Sequence, residues 1–273
     1  MAFALKEAGV SYQFLILEKK NHIAVVTMNR PEKLNSMNVG LRDELVVAFD
    51  EITHDDDVRV AVLTGAGRAF CAGGDVGGIQ DMANANEGAL PRREIVDPMG
   101  WNLREIERFP KPLIAAVNGV AAGTGFAMAL MSDIRIASEK AKFVTVFVRR
   151  GMIPDSGMSY LLPRLVGDAK AAELLFMGDD IDPQAAKELG IVSRVVPPDQ
   201  LMPVVMEIAT KIAAAPPVTI ELTKKLILKR RTQEMEDAFH YETFAQRICF
   251  STEDTKEGVR AFLEKRPPNF KGR

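Results

Sequence analysis

The stretch Phe70-Cys-Ala-Gly-Gly-Asp-Val-Gly-Gly78 decides how this chain is to be read. It follows an apolar run, Val58 to Thr64, that has the length and composition of a buried strand. Four glycines in nine residues let the backbone turn sharply and approach a ligand closely. A strand ending in such a loop can aim free backbone N–H groups at an anionic oxygen, and a helix start beside it adds its dipole.

A second loop of the same kind comes later. Lys111 to Asn118 reads as another buried strand, Gly119-Val-Ala-Ala-Gly-Thr-Gly125 is the loop, and Phe126 to Met131 opens an apolar helix. Two strand–loop–helix units supply what a two-donor oxyanion hole requires, one N–H from each side of the oxygen. Two ordinary turns with small residues for packing remain the alternative at this point.

Around these loops, strands and helices alternate. Phe14 to Glu18 and Ile23 to Met28 form an expected hairpin, and Val39 to Thr53 carries Leu41, Leu45, Phe49 and Ile52 on one helical stripe. Residues 79–100 are polar and read as a loop region. Ile134 to Ala137 and Phe143 to Phe147 are expected strands. From about Pro203 the pattern turns helical, over Val204 to Ala215, Pro217 to Arg231, Met235 to Phe250 and Thr255 to Lys265. The expected class is α/β, with a stacked ββα core over 1–202 that carries the site and a helical C-terminal module over 203–273.

The 273 residues suffice for a sizeable core. Thirty-five basic side chains against 37 acidic ones give no overall electrostatic footprint for nucleic acid. No apolar run reaches the length of a membrane span, and the N-terminus lacks the pattern of a secretory leader, so no membrane partner is expected. Cys71 and Cys249 are too few for a disulfide framework, and a cytoplasmic location is expected.

The two glycine loops, in this order and spacing, resemble the crotonase family, the enoyl-CoA hydratase/isomerase superfamily. The resemblance extends over Asn29-Arg-Pro-Glu-Lys-Leu-Asn-Ser36, Ala61-Val-Leu-Thr-Gly65, Met152-Ile-Pro-Asp155, Leu161-Leu-Pro-Arg-Leu-Val-Gly167, Ala261-Phe-Leu-Glu-Lys-Arg266 and Asn269-Phe-Lys271. It implies a crotonase-like spiral of ββα units whose helical C-terminal module trimerises, often as a dimer of trimers. It implies an acyl-CoA substrate and no separate cofactor, CoA being part of the substrate. By motif position the oxyanion donors are the N–H groups of Gly74 and Thr124. Ser36, Ala72, Asp75 and Val76 fall at or beside the CoA-binding loops, Phe262 at an acyl-pocket position and Lys265 at a CoA-phosphate position. Phe262 read alone is equally a helix core residue, and Lys265 a surface charge.

The departures from the family pattern narrow the chemistry. Hydratases of this family hold a water between two glutamates, and the matching positions here are Ala127 and Phe147. A methyl group and a phenyl ring cannot activate water, so Phe147 is expected to line the substrate site. Asp155, in Ile153-Pro-Asp-Ser-Gly157, falls where some isomerases of the family carry an aspartate facing the acyl chain. One carboxylate that takes a proton from one carbon and returns it to another suffices to move a double bond. The competing role for Asp155 is to cap the helix starting near Ser156. Asp75 is expected to order its loop, Cys71 to be a small core residue, and Asp133 and Glu139 to be structural. No His, Cys or acidic cluster has metal-ligand spacing.

The leading expectation is therefore double-bond isomerisation of an enoyl-CoA by Asp155. A hydratase or hydrolase-like crotonase using another base is the alternative among enzymes. An aryl-CoA dehalogenase is disfavoured because residues 76–110 contain no histidine. Outside catalysis stand a CoA-thioester binder and an RNA-binding homologue using the basic helix Lys224-Lys-Leu-Ile-Leu-Lys-Arg-Arg231. For that helix, a solvated basic face with Leu226, Ile227 and Leu228 packed inward is the favoured reading, and no nucleic acid is expected.

Overall fold

A computed structural model describes residues 11–75, 106, 108–150, 154–229, 253, 257, 264, 266, 267 and 269–273. The expected helices over 235–250 and 255–265, most of the polar loop region, Val76, Phe262 and Lys265 lie outside the described residues.

Ten strands and seven helices are labelled in chain order among the described residues. They are β1 (Leu15–Lys20), β2 (Ile23–Met28), α1 (Val39–Thr53), β3 (Val60–Gly65), β4 (Ala69–Cys71), β5 (Leu113–Val117) and β6 (Val120–Ala122), followed by α2 (Thr124–Met131), β7 (Ile134–Ser138) and β8 (Lys142–Val144). Then come α3 (Met158–Val166), α4 (Asp168–Met177), β9 (Asp180–Ile181), α5 (Pro183–Glu188), β10 (Arg194–Val196), α6 (Leu201–Ala213) and α7 (Pro217–Lys229).

The strands form two sheets, one in the order β1-β2-β3-β5-β7-β10 and the other β4-β6-β8-β9. Successive pairs, β3 with β4, β5 with β6 and β7 with β8, each give their first strand to the large sheet and their second to the small one. This is the expected ββα spiral. It sets β3, β5 and β7 side by side and parallel, and does the same for β4, β6 and β8. The loops leaving β4 and β6 therefore emerge at the same end of neighbouring parallel strands, which is how distant sequence segments come to share one site.

Burial explains the elements. All residues of β3, β4 and β5 are buried, as expected of strands covered on both faces. The stripe on α1 is inward as its spacing predicts, with Leu41, Leu45, Phe49 and Ile52 all buried, and Asn38 Oδ1 accepts from Leu41 N at 2.8 Å to cap it. Every residue of α2 is buried, so it is an inner helix. On the opposite face of the large sheet, Leu201, Val205, Ala209 and Ala213 of α6 cover Val60, Val62, Ile114 and Ile136. The expected division at 202/203 thus falls within a helix whose apolar stripe is packed on the sheet.

Two local expectations are corrected. The strand expected over Phe143 to Phe147 ends at Val144, because Thr145 turns to donate its hydroxyl to the Leu174 carbonyl of α4 at 2.7 Å. On α7 the expected orientation is reversed at two positions. Lys224 is the buried residue, pairing with Asp133 at 2.8 Å, donating to the Lys111 carbonyl and facing the Phe109 ring, whereas Ile227 is 59% exposed. Among the described residues no single helix is long and apolar enough to cross a membrane.

Candidate active site

The loop after β4 is held from behind by the segment before α1. Met37 N donates to the Gly73 carbonyl at 2.7 Å, and Asp75 N donates to the Met37 carbonyl at 2.9 Å. This bridge uses groups on either side of Gly74 and leaves the Gly74 N–H itself with no hydrogen bond among the described residues. Ala72 N donates to the Leu34 carbonyl at 3.0 Å.

A buried polar cluster fixes the same loop. Arg30, 8% exposed, donates to Asp75 Oδ2 at 3.1 Å and to the Ser36 carbonyl, and its guanidinium lies 5.6 Å from the Phe14 ring centroid. Ser36 Oγ donates to the same Asp75 oxygen at 3.3 Å. Asn35 accepts from Arg30 N and donates to the carbonyls of Ala66 and Ala69. Asp75 is thus a loop anchor, as its position suggests. Arg30 and Asn35 were not singled out from sequence. Their signal is present in the Asn29–Ser36 stretch, but nothing along the chain says that they reach the loop 40 residues later.

The second loop docks on the first at van der Waals distance. A Cβ on Gly73 would sit 2.8 Å from the Ala122 carbonyl oxygen, and one on Gly125 would sit 2.1 Å from the Cys71 carbonyl oxygen. Only glycine permits these approaches. Thr124 occupies the first position of α2, where a backbone N–H has no partner within the helix, and none is made among the described residues. Gly74 and Thr124 are therefore brought together through their immediate neighbours, each with an N–H that has no partner among the described residues. Ala127 and Phe147 are both buried, and the Phe147 ring is 3.9 Å from where a Gly123 Cβ would lie.

Asp155 reaches the same place from the segment before α3. It does not cap that helix: the capping position is Gly157, with no side-chain capping bond. Its carboxylate instead accepts from Ser156 Oγ at 2.8 Å, and Ser156 Oγ lies 3.3 Å from Thr124 Oγ1. Burial raises the Asp155 carboxyl above the usual carboxylate range, and the Ser156 hydroxyl bond partly opposes this. Ser156 is a third residue whose role sequence reading passed over.

Cys71 is fully buried, and burial pushes its thiol up to about 12, so it is the inert core residue expected. Asp133 accepts from Leu113 N and from Lys224, a structural role. A cavity of about 590 Å³ lies elsewhere, between α7 and the α2–β7 turn, and none of the candidate site residues lines it.

Two N–H groups without partners among the described residues, beside a partly desolvated carboxylate, can stabilise an oxyanion while a proton moves nearby. Comparison with known proteins accords with this chemistry. The enoyl-CoA hydratase/isomerase family model matches residues 18–273. The chain is 36% identical over 263 residues to the 1,2-epoxyphenylacetyl-CoA isomerase of Escherichia coli, covering 96% of this chain and 99% of that one. It is 40% identical over 261 residues to a short-chain-enoyl-CoA hydratase of Clostridium acetobutylicum, covering 95% and 98%. Its fold superposes on the crystal structure of an enoyl-CoA hydratase from Bacillus anthracis with a TM-score of 0.87 at 33% identity, covering 96% of this chain and all of that one.

Proposed function

Because the chain belongs to the enoyl-CoA hydratase/isomerase family, we propose that it is an acyl-CoA enzyme that shifts the double bond of an enoyl-CoA. The observation that carries this reading is Asp155, a half-buried carboxylate tied through Ser156 to Thr124. In the proposed reaction, the thioester oxygen sits between the N–H groups of Gly74 and Thr124. Asp155 takes a proton from the carbon beside the carbonyl of a 3-enoyl thioester. The electron pair moves onto the oxygen and spreads along the conjugated system, and the two N–H groups stabilise the negative charge, each by about 3 kcal/mol. Asp155 returns the proton to the far carbon, and the double bond lies in conjugation with the thioester.

Ala127 and Phe147 support isomerisation over hydration, since neither can hold or activate water. Ser36, Ala72, Asp75 and Val76 are proposed to border the CoA moiety, Phe147 and Phe262 the acyl chain, and Lys265 the CoA phosphates, with no cofactor beyond the substrate. A homotrimer or dimer of trimers in the cytoplasm completes the proposal. Hydration is the second reading, favoured by the name of the Clostridium relative.

The deciding experiment offers 2-enoyl-, 3-enoyl- and dienoyl-CoA thioesters and follows products by mass and ultraviolet spectrum. Isomerisation leaves the mass unchanged, whereas hydration adds one water. Efficient hydration of 2-enoyl-CoA with no isomerisation would overturn the proposal.

A further inference from the structure

Ser156 holds φ of 53° and Gly157 follows at 77°, two consecutive left-handed residues ahead of α3. Glycine adopts this conformation freely, and a serine there is strained. The serine side chain makes the contact that glycine would lose. Its Oγ donates to Asp155 Oδ1 at 2.8 Å. With its one proton so committed, it accepts at the 3.3 Å contact from Thr124 Oγ1. Thr124 is 5% exposed, so this contact also satisfies a buried hydroxyl.

We infer that Thr124 and Ser156 are positioning residues that tether Asp155 to the oxyanion turn through a Thr124–Ser156–Asp155 chain of hydroxyl hydrogen bonds. The inference rests on the function proposed above. Thr124 then serves twice. Its backbone N–H faces the developing oxyanion, and its hydroxyl sets the distance from that point to the base. A misplacement of about 1 Å between such groups costs on the order of 10²-fold in rate, which is the physical reason for a rigid link. The tether also favours the ionised carboxylate, because the hydroxyl donates to the charged form.

No charge competes for this role among the described residues around Asp155. Helix α2 carries none from Thr124 to Met131. On the segment after β8, Arg149 is engaged by Asp179 and Asp180. On α3, Arg164 stacks over its own Tyr160 at 3.4 Å. Burial and the Ser156 hydroxyl are the influences on the carboxyl.

The test uses Ser156→Gly, which relieves the backbone and removes the hydroxyl, together with Thr124→Val and Thr124→Ser. Ser156→Gly should lower kcat about tenfold with little change in KM, and move the rising limb of the kcat–pH profile upward. Thr124→Ser should lose less than Thr124→Val, because it keeps the hydroxyl. A readout independent of turnover is the carboxyl ¹³C resonance of Asp155, identified by its disappearance in Asp155→Asn. It should titrate at higher pH in Ser156→Gly than in the wild type. Unchanged kcat and unchanged titration in Ser156→Gly, with Asp155→Asn inactive, overturn the tether and leave the proposed function standing. Full activity in Asp155→Asn instead overturns the proposed function, and the titration then decides the tether alone. Should Ser156→Gly fail to fold, equal losses in Thr124→Val and Thr124→Ser overturn the tether.

Discussion

At the scale of single residues, the role proposed for Asp155 sets stability against function. A carboxyl whose folded value is raised binds its proton more tightly in the folded state. Its ionisation therefore costs stability as pH rises through the raised value. Asp155→Asn removes that charge and keeps the size. We expect it to melt at a higher temperature than the wild type near pH 7, with the gain vanishing in acid where both side chains are neutral. Melting curves recorded between pH 4 and pH 7, as approximate limits, would check the sign. The same substitution should lower isomerase turnover by about 10²- to 10⁴-fold and leave affinity for an unreactive thioester analogue nearly unchanged.

At the scale of elements, the site depends on how closely α2 approaches β4. A Cβ on Gly125 would meet the Cys71 carbonyl oxygen at 2.1 Å and the Cys71 Cβ at 2.7 Å, both fixed parts of a buried strand. Gly125→Ala must push the helix away, at an expected cost of about 1–3 kcal/mol by urea unfolding. Activity should fall by more than the stability loss explains, because the Thr124 N–H moves with the helix. The attachment of α7 gives a second expectation. Lys224, 6% exposed, ties this helix to Asp133 and to the Lys111 carbonyl. Lys224→Met fits the apolar surroundings and removes the ammonium donor from both acceptors, leaving the Asp133 carboxylate, among the described residues, only its bond from Leu113 N. A loss of about 1–3 kcal/mol is expected, with KM unchanged if α7 serves only the fold.

At the scale of the whole molecule, the question is what covers the C-terminal helices. Leu222 and Leu226 are half-buried and Ile227 is 59% exposed on α7, while Phe239, Phe244 and Phe250 lie outside the described residues. The apolar surface left open on α7 calls for a cover, and symmetric association is the usual means of providing one. Light scattering at micromolar concentration should give three or six times the 30.0 kDa of one chain. A monomeric mass would remove this part of the proposal.

Much of this protein is determined by local sequence. Hydrophobic spacing fixes α1 and its buried stripe, and continuous apolar runs fix β2, β3 and β5. Glycine-rich turns place the two loops, since only glycine permits the backbone approaches they make. The acidic position Asp155 is legible from its motif, and so is the loss of carboxylates at Ala127 and Phe147. Tertiary structure alone decides what depends on contacts far apart in the chain. Three-residue strands such as β4, β6 and β8 are too short to show a period and form because neighbours pair with them. The bonds of Arg30 to Asp75 and of Lys224 to Asp133 join residues 45 and 91 positions apart. No local preference encodes a partner at that distance. The hydroxyl chain from Thr124 through Ser156 to Asp155 is of the same kind, because the spiral must first bring the start of α2 against the segment preceding α3.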